Sequence, residues 1–295
     1  MTDRIPILLD TDPGSDIDDA LAIAYLASKQ DCELLGITTV SGDVVQRAAI
    51  AEVTARDFGL PDVPVVAGMS QVLAYGIGQP NVPHYAAIAD RPHRQDYRPN
   101  QAVDFLREQI RARPGEIILL TIGPMTNIAT LFALDPEIPS MLRGTVSMLG
   151  SFRRGYANEW NSAVDPAAAF AALRRSVNHL VIGLDVTLQC ALERAAFLAQ
   201  FGQGPLQSLL PMAEKWLAHS GTVIFHDPLA AAVIFRPELC QFETGYITGV
   251  PDVDEHPRSG HLNFVPDPSG PHKIAVSVDV EAFFAEYFAV CQTNP

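Results

Sequence analysis

Ile5-Pro-Ile-Leu-Leu-Asp10-Thr-Asp-Pro-Gly-Ser-Asp-Ile-Asp-Asp-Ala20-Leu-Ala-Ile-Ala-Tyr-Leu-Ala27 decides how this chain is read. Ile5 to Asp10 is a short, continuously apolar run ending in an acid, the pattern of a buried strand. Ala20 to Ala27 is apolar nearly all round and rich in helix formers. Pro13-Gly14 supplies turn chemistry between the two, and Ser15 or Asp16 is placed to cap the helix. Capping accounts for one or two acids. It does not account for Asp10, Asp12, Asp16, Asp18 and Asp19, five carboxylates within ten residues between hydrophobic elements. Like charges this close repel, and burial makes the repulsion worse. A hard divalent cation that takes carboxylate oxygens relieves both problems.

Outward from this stretch, strand-like and helix-like pieces alternate. Leu34–Val40 reads as a second strand, about Val45 to Phe58 as a helix, and Val63–Ala67 as a short strand. Asn100 to Arg113 has the apolar stripe of an amphipathic helix. Glu116–Ile122, Thr145–Leu149 and His179–Leu184 are further apolar strands, with a helix starting near Thr126-Asn127 and an Ala-rich one over Pro166–Arg175. Strands apolar on both faces and separated by helices predict an α/β fold, a mostly parallel open sheet with helices on both faces. The 295 residues carry no low-complexity linker and no internal repeat, so one domain is expected. Residues 68–99 are rich in Pro, Gly, His and Asn, and a loop of that length marks a functional loop or lid.

Hydrophobic residues make up 48% of the chain, enough for a substantial core, and the net charge of −14 argues against nucleic acid or an anionic membrane as a partner. Cys32, Cys190, Cys240 and Cys291 are scattered without metal-ligand spacing, as expected of reduced thiols in a cytoplasmic protein. Neither a secretory signal nor a membrane span is read in the sequence.

Polar residues fall just after the strand ends: Asp10 and Asp12, Asp43, Thr126 and Asn127, Asp185. In open α/β sheets the ligand crevice lies outside the carboxyl ends of the strands, so these groups are expected to meet. Two later clusters add candidates. Around Trp160, Asn158, Glu159 and Asn161 precede Asp165-Pro166, where Asp165 reads as a helix cap. Glu159 and Asn161 are left without a capping task, spaced to grip neighbouring hydroxyls. In Phe225-His226-Asp227-Pro228, Asp227 reads either as a cap or as a metal acid, and His226 beside it suits proton transfer. His84 and His93 lie in the long loop.

Asp10-Thr-Asp-Pro-Gly…Asp18-Asp19-Ala, Gly123-Pro-Met-Thr-Asn-Ile-Ala, Glu159-Trp-Asn161…Asp165-Pro and His226-Asp227-Pro together resemble the inosine–uridine-preferring nucleoside hydrolases, in order and approximate spacing over nearly the whole chain. The C-terminal strand Lys273–Asp279 and the aromatic helix after it resemble that family's ending. The resemblance implies a calcium-dependent N-ribohydrolase acting on small ribonucleosides, cytoplasmic, as a homodimer or homotetramer. It implies Asp12, Asp19, the Ile122 carbonyl and Asp227 as Ca2+ ligands, with Asp12 also the base that activates water. Asp10 would stand behind the ligands. Asp18, Glu159 and Asn161 would hold ribose hydroxyls, and His226 would face the leaving base. Asp43, Asn158, His84 and Trp160 complete the implied substrate contacts.

The chain departs from the family pattern at several points. Three residues separate Gly14 from Asp18 where many members have one, which makes Asp16 an additional acid. Asp43 stands where many have Asn, Tyr85 follows His84 in place of glycine, and Arg153 and Arg154 occupy the loop before Glu159. Two other classes fit part of the pattern. A calcium-dependent riboside-binding protein would keep the metal acids without turnover. A phosphotransferase of the haloacid dehalogenase type shares Asp10-Thr-Asp12, but it expects Gly-Thr or Gly-Val next and a strand-end lysine. Here Pro13-Gly14 follows, and the only lysines are Lys29, Lys215 and Lys273.

Overall fold

The computed structural model describes residues 4–152, 159–249 and 260–292. Its strands are β1 (Ile5–Thr11), β2 (Cys32–Thr39), β3 (Val65–Ala67), β4 (Ile118–Thr121), β5 (Gly144–Met148), β6 (His179–Ile182), β7 (Ala191–Glu193), β8 (Thr222–Ile224), β9 (Cys240–Gly249), β10 (Leu262–Pro266) and β11 (His272–Val278). Nine form one sheet in the order β10-β9-β11-β6-β5-β4-β1-β2-β3, and β7 pairs with β8 apart from it. All neighbours from β11 to β3 are parallel; β9 alone runs against both of its neighbours.

The expected mostly parallel sheet is therefore present, with an antiparallel edge. β1 shows why: six of its seven residues are buried, so helices must cover both faces. From β1 the chain winds one way through β2 and β3. It then returns to the other side of β1 and winds through β4, β5 and β6. The reversal between β1 and β4 is a topological switch point, where such sheets open a crevice. Asp10 and Thr121 pair across it, and the Ile122 amide donates to the Asp10 carbonyl at 2.8 Å.

Helix Asp18–Ser28 packs against helix His226–Val233, which brings the N-terminal acids to Asp227. The C-terminal helix Val280–Cys291 fixes that second helix through an aromatic cluster. Fully buried Phe225 meets Phe284 at 5.2 Å and Tyr287 at 5.1 Å between ring centroids, both edge-on. Residues 68–99 hold only a 3₁₀ turn over Pro83–Ala87. All four cysteines are buried and unpaired, and no helix among the described residues is long and apolar enough to cross a membrane.

Beneath the sheet's polar edge, His179 is buried between Ser147 and Ser176, with its ring nitrogens 2.7 and 2.9 Å from their hydroxyls. Burial, and then the His272 ring 5.9 Å away, pull His179 down to about 3, so it folds neutral. The unfolded chain takes up a proton below the ordinary histidine value, so stability falls as pH drops from about 6.5 towards 3, by a few kcal/mol at most. Urea unfolding at pH 7.5 and 4.5 checks this: His179→Asn should lose less stability over that interval than the wild type. An equal loss would assign the acid sensitivity elsewhere.

Candidate active site

A cavity of about 420 Å³ opens at the switch point, within the range of small-molecule sites. Asp12, Ser15, Asp16, Asp18 and Asp19 line it from the turn after β1, and Ile122 from the end of β4. Met148 closes β5 against it, while Glu159, Trp160 and Asn161 come from the connection that follows. Leu184, Trp216, His226 and Asp227 complete the wall, and Gln79 reaches in from the long loop. Six carboxylate side chains face one space, and no Lys or Arg lines it among the described residues.

Local structure fixes the acids. The turn folds Asp19 back so that Thr11 donates its hydroxyl to Asp19 Oδ1 at 2.5 Å and the Asp12 amide donates to the same oxygen at 3.0 Å. Its other carboxylate oxygen is left free of both bonds. The helix begins at Asp18 with Ile17 as cap residue and no side-chain capping bond, so neither Ser15 nor Asp16 caps it, contrary to expectation. Asp16 instead accepts from the Ile17 amide at 2.6 Å. Asp227 lies inside the first turn of its helix, caps nothing, and presents its carboxylate to the cavity. One oxygen each from Asp18, Asp19 and Asp227 lies within 4.8 Å of the others, a spacing one cation can bridge. Asp12 lines the same cavity but is not part of that closest trio.

The electrostatics of the cluster suit a bound cation. Burial and then the charge of Asp19 push Asp12 well above the usual carboxylate range, while Arg47 pulls the other way. Burial raises Asp18, with Asp16 and Asp19 adding to it, and burial raises Asp227, with Asp18 next. Asp16 is pushed up to about 7, again chiefly by burial. Ionising all of them together is costly, and a bound cation would offset that cost. The donors are all oxygens, mostly carboxylate, which fits a hard ion such as Ca2+ or Mg2+ rather than zinc.

Asp10 stands behind the cavity, fully buried. It accepts from Thr38 and, at 2.7 Å, from Asn127 Nδ2, with its second oxygen unpartnered, and burial raises it to about 7. Asn127 also donates to the Thr39 carbonyl at 3.1 Å, stitching β4's exit to β1 and β2.

Several expectations are corrected here. Glu159 does cap a helix: it accepts from the Asn161 amide at 2.6 Å and the Ser162 amide at 2.9 Å, and also from Gly150 N at 2.9 Å. Asn161 is likewise committed, its Nδ2 donating to the carbonyls of Ile122 at 2.9 Å and Met148 at 3.0 Å. Both still line the cavity, so one residue serves fold and site together. Asp43 is an exposed cap, accepting from Gln46 N at 3.0 Å, and lies outside the lining. Asp185, too, is turned away, held by Ser151 at 2.8 Å and Phe152 N at 3.1 Å. His84 is 1% exposed, does not line the cavity, and is pulled to about 4 by burial. Asn158 lies outside the described residues. Asp165 is the cap that was expected, accepting from Ala168 N at 3.0 Å.

His226 faces the cavity with Nδ1 2.6 Å from the Thr187 hydroxyl, and burial pulls it to about 4. Burial therefore favours its neutral imidazole. Five contributors went unseen in the sequence: Gln79, Met148, Leu184, Trp216 and Arg47. The first four look like ordinary loop or core positions. Arg47 had a signal, a lone cation on the apolar face formed with Ile50, Ala51 and Thr54.

Residues 7–285 match the family model of the inosine-uridine preferring nucleoside hydrolases. The non-specific ribonucleoside hydrolase RihC of Salmonella agona is 32% identical over 98% of this chain and 99% of its own. Uridine nucleosidase 1 of Arabidopsis thaliana is 30% identical over 82% of this chain and 77% of its own. Among solved structures, a purine-preferring ribonucleoside hydrolase from Gardnerella vaginalis superposes with a TM-score of 0.81 at 29% identity, over 97% of this chain and 98% of that one. A plant nucleoside hydrolase shares the fold with a TM-score of 0.83 at 23% identity, over 98% and 99% of the two chains. The chain belongs to the inosine-uridine preferring nucleoside hydrolase family, and its activity is that of a nucleoside N-ribohydrolase.

Proposed function

We propose that the cavity hydrolyses ribonucleosides to ribose and free base with a calcium ion at Asp12, Asp18, Asp19, Asp227 and the Ile122 carbonyl. The observation that carries this is the convergence of six buried or half-buried carboxylates on one cavity with no lining cation. Such a site repels phosphate, which speaks against phosphoryl transfer, and favours a sugar that develops positive charge. When bound, the ion supplies Lewis acidity and an anchor for hydroxyl oxygens.

The chain's own residues do the remaining work. Asp12 takes the proton of the attacking water at a carboxylate oxygen. The neighbouring carboxylates offset the charge of the oxocarbenium-like sugar as the N-glycosidic bond breaks. Glu159 and Asn161, held by their backbone contacts, present a fixed polar edge to the ribose. Trp160, half exposed at the rim, and Trp216 offer flat faces to the base. His226, held neutral by burial, donates a hydrogen bond from a ring N–H to the departing base without transferring the proton, which the base takes from solvent. A cytoplasmic homo-oligomer in nucleoside salvage is the setting we propose, on the family's behaviour.

His226→Ala tests the leaving-group role. It should slow inosine hydrolysis by about 10²-fold or more while slowing a nitrophenyl riboside, whose leaving group needs no proton, far less. Equal slowing of both substrates would remove His226 from stabilising the leaving base.

A further inference from the structure

We propose that Arg47 is a positioning residue for this reaction, fixing the Asp12–Pro13 turn and the loop carrying Gln79 in one relative geometry. The inference rests on the ribonucleoside-hydrolysis reading of the cavity. Arg47 is 0% exposed, a placement that is strongly unfavourable for a guanidinium unless its donors are satisfied. Its donors go mainly to backbone carbonyls from three separate segments, with one long contact from Nη1 to the Ser15 hydroxyl at 3.5 Å. Nε donates to Ser41 O at 2.7 Å, Nη1 to Pro13 O at 3.1 Å and to Asp12 O, and Nη2 to Gln79 O at 3.0 Å.

Two of those segments line the cavity, and Nη2 also stands 3.9 Å from Asp12 Oδ2, the oxygen of the proposed base. The contacts of this buried cation are spread across the working parts of the site. The loop lies tightly on the same surface. A Cβ on Gly42, whose φ is +64°, would fall 2.0 Å from Gln79 O, and His84 N donates to Gly14 O at 3.0 Å. Lysine restores the charge near Asp12 but offers no planar fork for carbonyls on three sides.

The test uses the full chain with Arg47→Met, Arg47→Lys and Gly42→Ala. The readings are kcat and KM for ribose release from inosine at saturating Ca2+, the calcium dissociation constant by calorimetry, and thermal unfolding. Arg47→Met should lower kcat about 100-fold, the effect of an ångström-scale misplacement. Arg47→Lys should recover roughly tenfold of that loss, because the charge returns without the fork. Gly42→Ala drives a Cβ into the loop at Gln79 and strains the turn at Gly42 itself, so KM should rise about tenfold with calcium affinity within about twofold.

A folded Arg47→Met with unchanged kcat and KM overturns the proposal. So does a folded Arg47→Lys no better than Arg47→Met. Where Arg47→Met does not fold, an unchanged KM in Gly42→Ala overturns it. A wild type that releases no ribose instead removes the functional reading. Positioning is then read by hydrogen exchange over residues 70–82, which should quicken in Arg47→Lys; unchanged exchange overturns the proposal.

Discussion

Asp12→Asn should lower kcat by about 10⁴-fold while leaving the fold intact. The amide matches the carboxylate in shape, so the turn and the Asp19 bond to the Asp12 amide survive. What is lost is the proton acceptor, a negative charge facing the sugar and one proposed calcium ligand, so kcat is read at saturating calcium. Arg47, 3.9 Å from Asp12 Oδ2, would then face an uncharged partner, though its carbonyl bonds remain. Steady-state ribose release, with circular dichroism to confirm folding, checks this. Retention of a tenth of wild-type kcat would contradict Asp12 as the base.

Asp227→Asn should move stability and metal binding in opposite directions. In the metal-free protein Asp227 is raised by burial and by Asp18, Asp19, Asp12 and Asp16, so its charge opposes folding. Neutralising it should raise the melting temperature of the chelated protein, by the equivalent of about 1–3 kcal/mol. The same change removes one of three oxygens lying within 4.8 Å, so calcium affinity should fall about 100-fold and activity with it. Differential scanning calorimetry with chelator and with calcium reads both effects. A lower melting temperature in chelator would mean that Asp227 stabilises the fold in its own right. The sacrifice of stability for a charged site is the usual trade at active sites.

Much of this arrangement was legible in the chain. β1 reads from its apolar run, and the acids after it lie at the switch point because parallel strands open their crevice there. Asp165 reads as a cap from Asp-Pro alone, and the structure agrees. Glu159 misled because its cap runs through backbone amides that no pattern announces. Asp43 misled for the opposite reason: it follows a strand end, but β2 lies one strand beyond the switch point, and the helix it caps turns it to solvent. Gln79 and Trp216 reach the cavity only through tertiary packing of a loop and a helix with no site motif. The antiparallel β9 went unread although its buried positions partly alternate, since the preceding strands set an expectation of continuous apolar runs.

Ribose release from inosine, uridine, cytidine and adenosine, before and after calcium chelation and again on calcium re-addition, tests the central claim most directly. Release that stops on chelation and returns with calcium is the predicted result, and the substrate ranking would set the base preference. Release that continues undiminished in protein shown to be free of metal would contradict a calcium-assisted cavity.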